Sequence, residues 1–179
     1  VINAGGVDVL ASQLTSDVPS SRKEASWALS NIAAGTVDQI DALIKHPTIV
    51  RDVLANFTCA WPDVQKESVW TVANMIAGGS RQHFQILVEQ HAAVESLCAI
   101  AAATTTLTSV VVALEAVENL LAAYEELKHE QGLAVNTLVT RLRSTVAFDQ
   151  LASLAAHGNS DITVHARSIQ EQYFAANKS

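Results

Sequence analysis

Apolar residues recur along this chain at spacings of three and four rather than two, and alanine is the commonest residue. That pattern predicts helices almost throughout. The helices are short, with breaks expected near Gly5-Gly6, Ser16–Ser20, Gly35, Pro47, Trp61-Pro62, Gly78-Gly79 and Thr104–Thr106, then near Lys128–Gln131, Arg143–Thr145 and Gly158–Ser160. Gly5, Gly35 and Gly78 are expected to supply the left-handed residue at helix ends. Pro62-Asp63 reads as a helix entry, because proline tolerates the first turn and an acid favours the N-terminal dipole. Helices of about 10–15 residues joined by short turns suit either a bundle or a solenoid, and an internal repeat separates the two.

The repeat is present. Lys23-Glu24-Ala25-Ser26-Trp27-Ala28-Leu29-Ser30-Asn31 aligns with Lys66-Glu67-Ser68-Val69-Trp70-Thr71-Val72-Ala73-Asn74 at an offset of 43 residues, and Ala33-Ala34-Gly35 then faces Ala77-Gly78-Gly79. After each block the helices Gln39–Ile44 and Gln85–Val88 also correspond. A third copy, Val110 to Ala123, places Asn119 45 residues after Asn74 but Glu115 where tryptophan would stand. A weaker fourth copy runs from Ile162 to Ala175. A period in the low forties with about three helices per unit is the armadillo/HEAT spacing. The expected repeats are 1–35, 36–79, 80–125 and 126–179, each with a short first helix, a second helix and a longer third. In the second repeat these are Val37–His46, Thr48–Ala60 and Pro62–Ala77. The fold expected is all-α: one armadillo-type, right-handed superhelical solenoid of about four three-helix repeats, the first truncated.

On a helix turning 100° per residue, Glu24, Trp27 and Asn31 fall on one stripe, and Ala25, Ala28, Leu29 and Ile32 on another. The second is the expected core seam. The first mixes an acid, an indole and an amide, and Glu67, Trp70 and Asn74 repeat it. A single Trp-x-x-x-Asn is more often a core indole with a helix-end amide. Two copies in register reverse that judgement, since core packing gives no reason for asparagine at the same place twice. Neighbouring helices pack about 8–10 Å apart and an extended chain advances about 3.3 Å per residue, so each repeat spans two to three residues of a peptide laid across it. The Asn31 and Asn74 amides offer a donor and an acceptor to a peptide backbone. Trp27 and Trp70 wall a slot for an alkyl stem with a cationic head, and Glu24 and Glu67 select Lys or Arg. Glu115 and Asn119 extend this pattern only in part.

Composition sharpens the ligand. The chain has 179 residues, 18 acidic against 11 basic and a formal charge of −7, which disfavours nucleic acid and favours basic partners. No secretory segment is expected at its start. The longest uncharged run, Ser96 to Leu114, is interrupted by Thr104-Thr105-Thr106, so a soluble chain without membrane contact is expected. Six histidines show no metal spacing, and Cys59 and Cys98 form no CxxC and read as small buried residues. No nucleotide or nucleophile-elbow motif occurs, so neither catalysis nor cofactor nor metal is expected. Trp61 is expected to pack into the turn before its helix.

Lys23–Asn31 with Ile32-Ala33-Ala34-Gly35, and Lys66–Asn74 with Gly78-Gly79, resemble the armadillo repeats of the importin-α (karyopherin-α) family. Val1–Gly6 looks like the end of a helix of that array, Leu114–Leu121 resembles the family's penultimate repeat, and Ile169–Phe174 its last. The resemblance implies a nuclear import adaptor that reads the nuclear localisation signals of cargo and shuttles between cytoplasm and nucleus. By it, Trp27, Asn31, Trp70 and Asn74 match the Trp/Asn array of the minor signal-binding groove, with Glu24 and Glu67 as its acids and Lys23 beside them. A loop completing the groove, the major groove and the basic arm that recruits importin-β would all precede Val1. The last repeats would meet the export receptor and nucleoporins; from Gln82 to Glu130 the acids Glu89, Glu95, Glu115, Glu118, Glu125, Glu126 and Glu130 stand against Lys128 alone. An armadillo scaffold with another ligand is the alternative reading, and a helical hydrolase using Cys or His a more distant one.

Overall fold

The computed structural model of the chain describes residues 5–175, and every regular element among them is a helix. A pair, α1 (Gly6–Gln13) and α2 (Pro19–Ala33), is followed by α3 (Val37–Ile44), α4 (Ile49–Ala55) and α5 (Pro62–Gly78). Then come α6 (Arg81–Gln85), α7 (Ala93–Ala103) and α8 (Leu107–Gln131), and finally α9 (Thr137–Arg143), α10 (Val146–Leu154) and α11 (Ser160–Ile169). A tight turn, Asn56–Thr58, prolongs α4, while wide turns at Ile86–Gln90 and Gln170–Phe174 prolong α6 and α11. The chain resolves into two compact units, Val1–Ser96 and Leu97–Ser179, a division natural to an array in which each repeat touches only its neighbours. Val1–Ala4, expected to end a helix, lie outside the described residues.

Local chemistry sets the boundaries. Thr36 caps α3 reciprocally with Gln39, the arrangement that satisfies two end donors at once. Pro62 and Asp63 open α5 as expected. The break at Thr104–Thr106 separates α7 from α8. Two expectations change. The helix α8 runs through Lys128–Gln131, across the junction expected at 125/126, and ends at Gly132 with φ 63°. Gly35 and Gly78 are not left-handed, whereas Gly5 is, at φ 70°. A Cβ on Gly78 would stand 2.9 Å from Ile40 Cδ1, so glycine there permits close packing of α5 on α3. At 25 residues α8 is long and apolar enough to cross a membrane, yet more than half of its most apolar stretch is buried within the protein.

In the first unit α2 and α5 form the central pair. Ala25, Leu29 and Ala33 are buried as a seam, but Ala28 and Ile32 are only half-buried, and Ser26 and Ser30 take the inner places. The rotation has a cause. Ser68 Oγ donates to Ser26 Oγ at 3.4 Å, and Thr71 Oγ1 donates to the Ser26 carbonyl at 3.1 Å. Small hydroxyl residues let the backbones approach while satisfying their own polar atoms.

A polar hub ties the α1–α2 loop to the end of α4. Buried Asn56 donates to the Leu14 carbonyl at 3.2 Å and accepts from Arg22 at 3.2 Å; Arg22 also donates to the Ser16 carbonyl at 2.8 Å. The Arg22 guanidinium lies 4.8 Å from the Trp61 ring centroid, so Trp61 is half-buried beneath a cation as well as beside its turn. Cys98 is buried as expected, whereas Cys59 is only half-buried.

A second tie links α3 to the start of α6. The Ser80 N–H donates to His83 Nδ1 at 3.1 Å, which leaves the proton on Nε2, 3.1 Å from Asp41 Oδ1. The Lys45 ammonium, at 2.8 Å, and then the His83 imidazole hold the Asp41 carboxyl below its ordinary value. A depressed carboxylate stabilises the fold above its unfolded value, and that contribution is lost as pH falls through the lower folded one. Asp41→Asn is therefore expected to flatten the acid limb of the stability–pH curve below about pH 4, as read by urea unfolding between neutral and acid pH.

In the second unit α8 packs against α9 and α11, with Leu114, Val117, Leu121, Leu142, Ile162 and Ile169 buried. Asn136 caps α9 and donates to the Leu121 carbonyl and to Glu125, both at 3.1 Å. His165 meets Glu118 at 2.8 Å.

Candidate functional site

The candidate residues of the first unit surround α2 and α5. A shallow cavity of about 260 Å³ is lined by Trp27, Ser30, Asn31, Lys66, Glu67, Trp70 and Asn74. On the other side of the same indole, a cavity of about 490 Å³ is lined by Leu10, Gln13, Ser20, Ser21, Glu24, Ala25, Trp27 and Ala28. Trp27, 53% exposed, is thus the wall shared by two slots. Trp70 is half-buried on α5.

The amides are oriented by backbone carbonyls of α2. Asn31 Nδ2 donates to the Trp27 carbonyl at 3.1 Å, one turn back, and Asn74 Nδ2 donates across to the Ser30 carbonyl on α2 at 3.0 Å. Each asparagine spends one N–H inward and keeps a second N–H and its Oδ1 for a ligand. That is the donor–acceptor pair that an extended backbone requires. The Asn74 bond also joins α2 to α5, so rung and packing contact are one group.

The charged residues divide. Glu24 is exposed at the α1–α2 cavity, whereas Glu67 lies at the α2–α5 cavity with a side chain 13% exposed. Lys23 lines neither cavity; its Nζ pairs with Asp63 Oδ2 at 3.3 Å. Lys66, which the sequence reading leaves unassigned, stands beside Glu67 with Nζ 3.9 Å from Oε1. The acidic groove expected from the two glutamates is therefore acidic at Glu24 and close to neutral at the Lys66–Glu67 pair.

Glu115 and Asn119 are exposed on α8 in the second unit, four residues apart on one stripe. Two of the acids expected to make an acidic surface there are engaged internally: Glu118 with His165, and Glu125 with Lys128 at 2.6 Å and with Asn136. The Lys128 ammonium first, and then Asn136, hold the Glu125 carboxyl below its usual value against the effect of burial. Among the described residues no group of three or more His, Cys, Asp or Glu could hold a metal ion.

Helix triplets at a period in the low forties, with an indole–amide–acid stripe repeated on α2 and α5, define an armadillo-repeat protein. The Armadillo/beta-catenin-like repeat model matches residues 1–34. The chain is 32% identical over 152 residues to importin subunit alpha-5 of Arabidopsis thaliana, covering 85% of this chain and 28% of that protein. To importin subunit alpha-8 of the same plant it is 30% identical over 164 residues, covering 90% and 36%. The chain is thus an armadillo-repeat chain similar to importin-α proteins, and it spans roughly a third of the length of these curated relatives. Among solved structures it is similar to a designed armadillo repeat protein in complex with the peptide (KR)4, with a TM-score of 0.74 and 27% identity, covering 95% of this chain and 65% of that one. An engineered protein at 24% identity, with a TM-score of 0.66 over 90% of this chain and 59% of its own, supports the same fold. The importin-α family and the designed peptide-binding armadillo proteins are non-enzymatic scaffolds.

Proposed function

We propose that the chain is a peptide-binding adaptor segment that takes an extended, Lys/Arg-rich nuclear localisation signal across α2 and α5. The observation that carries this reading is the cavity lined by Trp27 and Trp70, by Asn31 and Asn74, and by Glu67 with Lys66 beside it. A basic side chain enters between the indoles, its alkyl stem against the rings and its head near the carboxylate. The asparagines pair with the peptide backbone whatever its side chains. The second slot, with Glu24, receives a neighbouring basic residue. The designed relative that holds (KR)4 supports a ligand of this chemistry, and the importin-α relatives support a role in nuclear import with shuttling between cytoplasm and nucleus. The second unit, with Glu115, Asn119 and Glu126 exposed, is the proposed surface for the export receptor and nucleoporins.

The test is titration of the chain with a fluorescent (Lys-Arg)4 peptide beside an acidic peptide of the same length. The basic peptide is expected to bind and to weaken as salt rises from about 50 to 300 mM, because screening acts on the charge-selective part. Equal affinity for the acidic peptide would remove the reading.

A further inference from the structure

The repeated Lys-Glu dipeptide behaves differently in its two copies. Lys23 is drawn to Asp63 at the first turn of α5, 3.3 Å away. Glu24 is left exposed at its cavity, with no ion pair among the described residues. Lys66 makes no such pairing with an aspartate among the described residues. Its ammonium lies instead 3.9 Å from Glu67, and both residues line the cavity between Trp27 and Trp70. Lys66 is 46% exposed on its side chain and Glu67 13%, so the lysine is the partner free to leave and the glutamate the fixed one.

We infer that Lys66 is a tethered competitor for the groove: its ammonium occupies Glu67 when no ligand is bound and lowers the affinity for a cationic side chain. This rests on the reading of the groove as a basic-peptide site. An incoming Lys or Arg and Lys66 are charges of one sign sharing one carboxylate, so binding either displaces Lys66 or carries its repulsion. At Glu24 no such competitor stands, because Asp63 holds Lys23. The two slots therefore differ in selectivity although their sequence block is the same, and Lys66 is a position where loss of charge, including acetylation, raises affinity.

The experiment titrates the whole chain and its Lys66→Met, Glu67→Gln and double variants with the (Lys-Arg)4 peptide at low and high salt. Lys66→Met, which keeps the alkyl stem, is expected to bind about threefold tighter at low salt, with the gain shrinking at high salt and vanishing in the Glu67→Gln background. Unchanged or weaker binding by Lys66→Met, with the wild-type chain binding normally, overturns this inference alone. A gain that persists without Glu67 is a general charge effect and also overturns it. A wild-type chain that does not bind the peptide removes the groove reading and this inference together.

Discussion

Alanine at both Trp27 and Trp70 is expected to weaken (Lys-Arg)4 binding about 30-fold or more, with the helical circular dichroism and a cooperative melt retained. Each indole offers a cation a face worth about 0.5–2 kcal/mol, rising as the site is desolvated. The rings also shelter the alkyl stem from water, at about 25 cal/mol per Å² of apolar surface. Central aromatic anchors are where interface energy concentrates. Trp27 is 53% exposed, so its truncation removes little from the core, and half-buried Trp70 accounts for what melting temperature is lost. Peptide anisotropy measures the binding and thermal circular dichroism the fold. Undiminished affinity in a folded double variant would show that the peptide binds elsewhere.

The largest effect on stability is expected at Asn56, a position with no part in the groove. Asn56→Leu should destabilise the chain by about 2–4 kcal/mol, read as a fall in the urea midpoint with little change of slope. Asn56 is 2% exposed, and leucine has the same branched outline but is bulkier, so no cavity forms and some overpacking adds to the cost. The main cost comes from the Leu14 carbonyl and the Arg22 guanidinium, each stripped of a partner in a place water reaches poorly. Arg22 keeps the Ser16 carbonyl and the Trp61 face, which sets the upper limit. Exposed Asn31, replaced by alanine, should move stability by less than about 0.5 kcal/mol. A loss at Asn56 no larger than that at Asn31 would show that the hub is ornamental to the fold.

How much of this is legible without coordinates follows from the kind of signal each feature leaves. Helix period, the 43-residue repeat and the helix entries are one-dimensional patterns, and the array follows from them. The pairing of Trp27 with Trp70 is legible for the same reason, since stacked copies of one stripe must form a ladder. What the sequence hides is the inner role of polar residues. Ser26, Ser30, Ser68 and Thr71 carry no apolar pattern that marks them as core, yet they sit between α2 and α5 because each finds a partner there. Asn56 and Arg22 are 34 positions apart and carry no motif. Lys23 and Lys66 are equivalent in the repeat, and only the acid at position 63 separates their fates. The glycines mislead in the opposite direction: Gly78 sits against the end of the Ile40 side chain and not in a left-handed turn.

The hydroxyl seam between α2 and α5 has a metrical consequence. Bulky side chains between two helices would push their outer edges apart, whereas serine and threonine let them approach more closely. The outer edges carry the two tryptophans, so the seam acts as the spacer of a gauge whose graduations are indoles. An extended peptide advances two residues in about 6.6 Å, a shorter step than the helix spacing, so gauge and ligand drift out of phase as rungs are added. A reader of this build stays in register over only a few rungs, and a longer ligand must be read in separate short stretches.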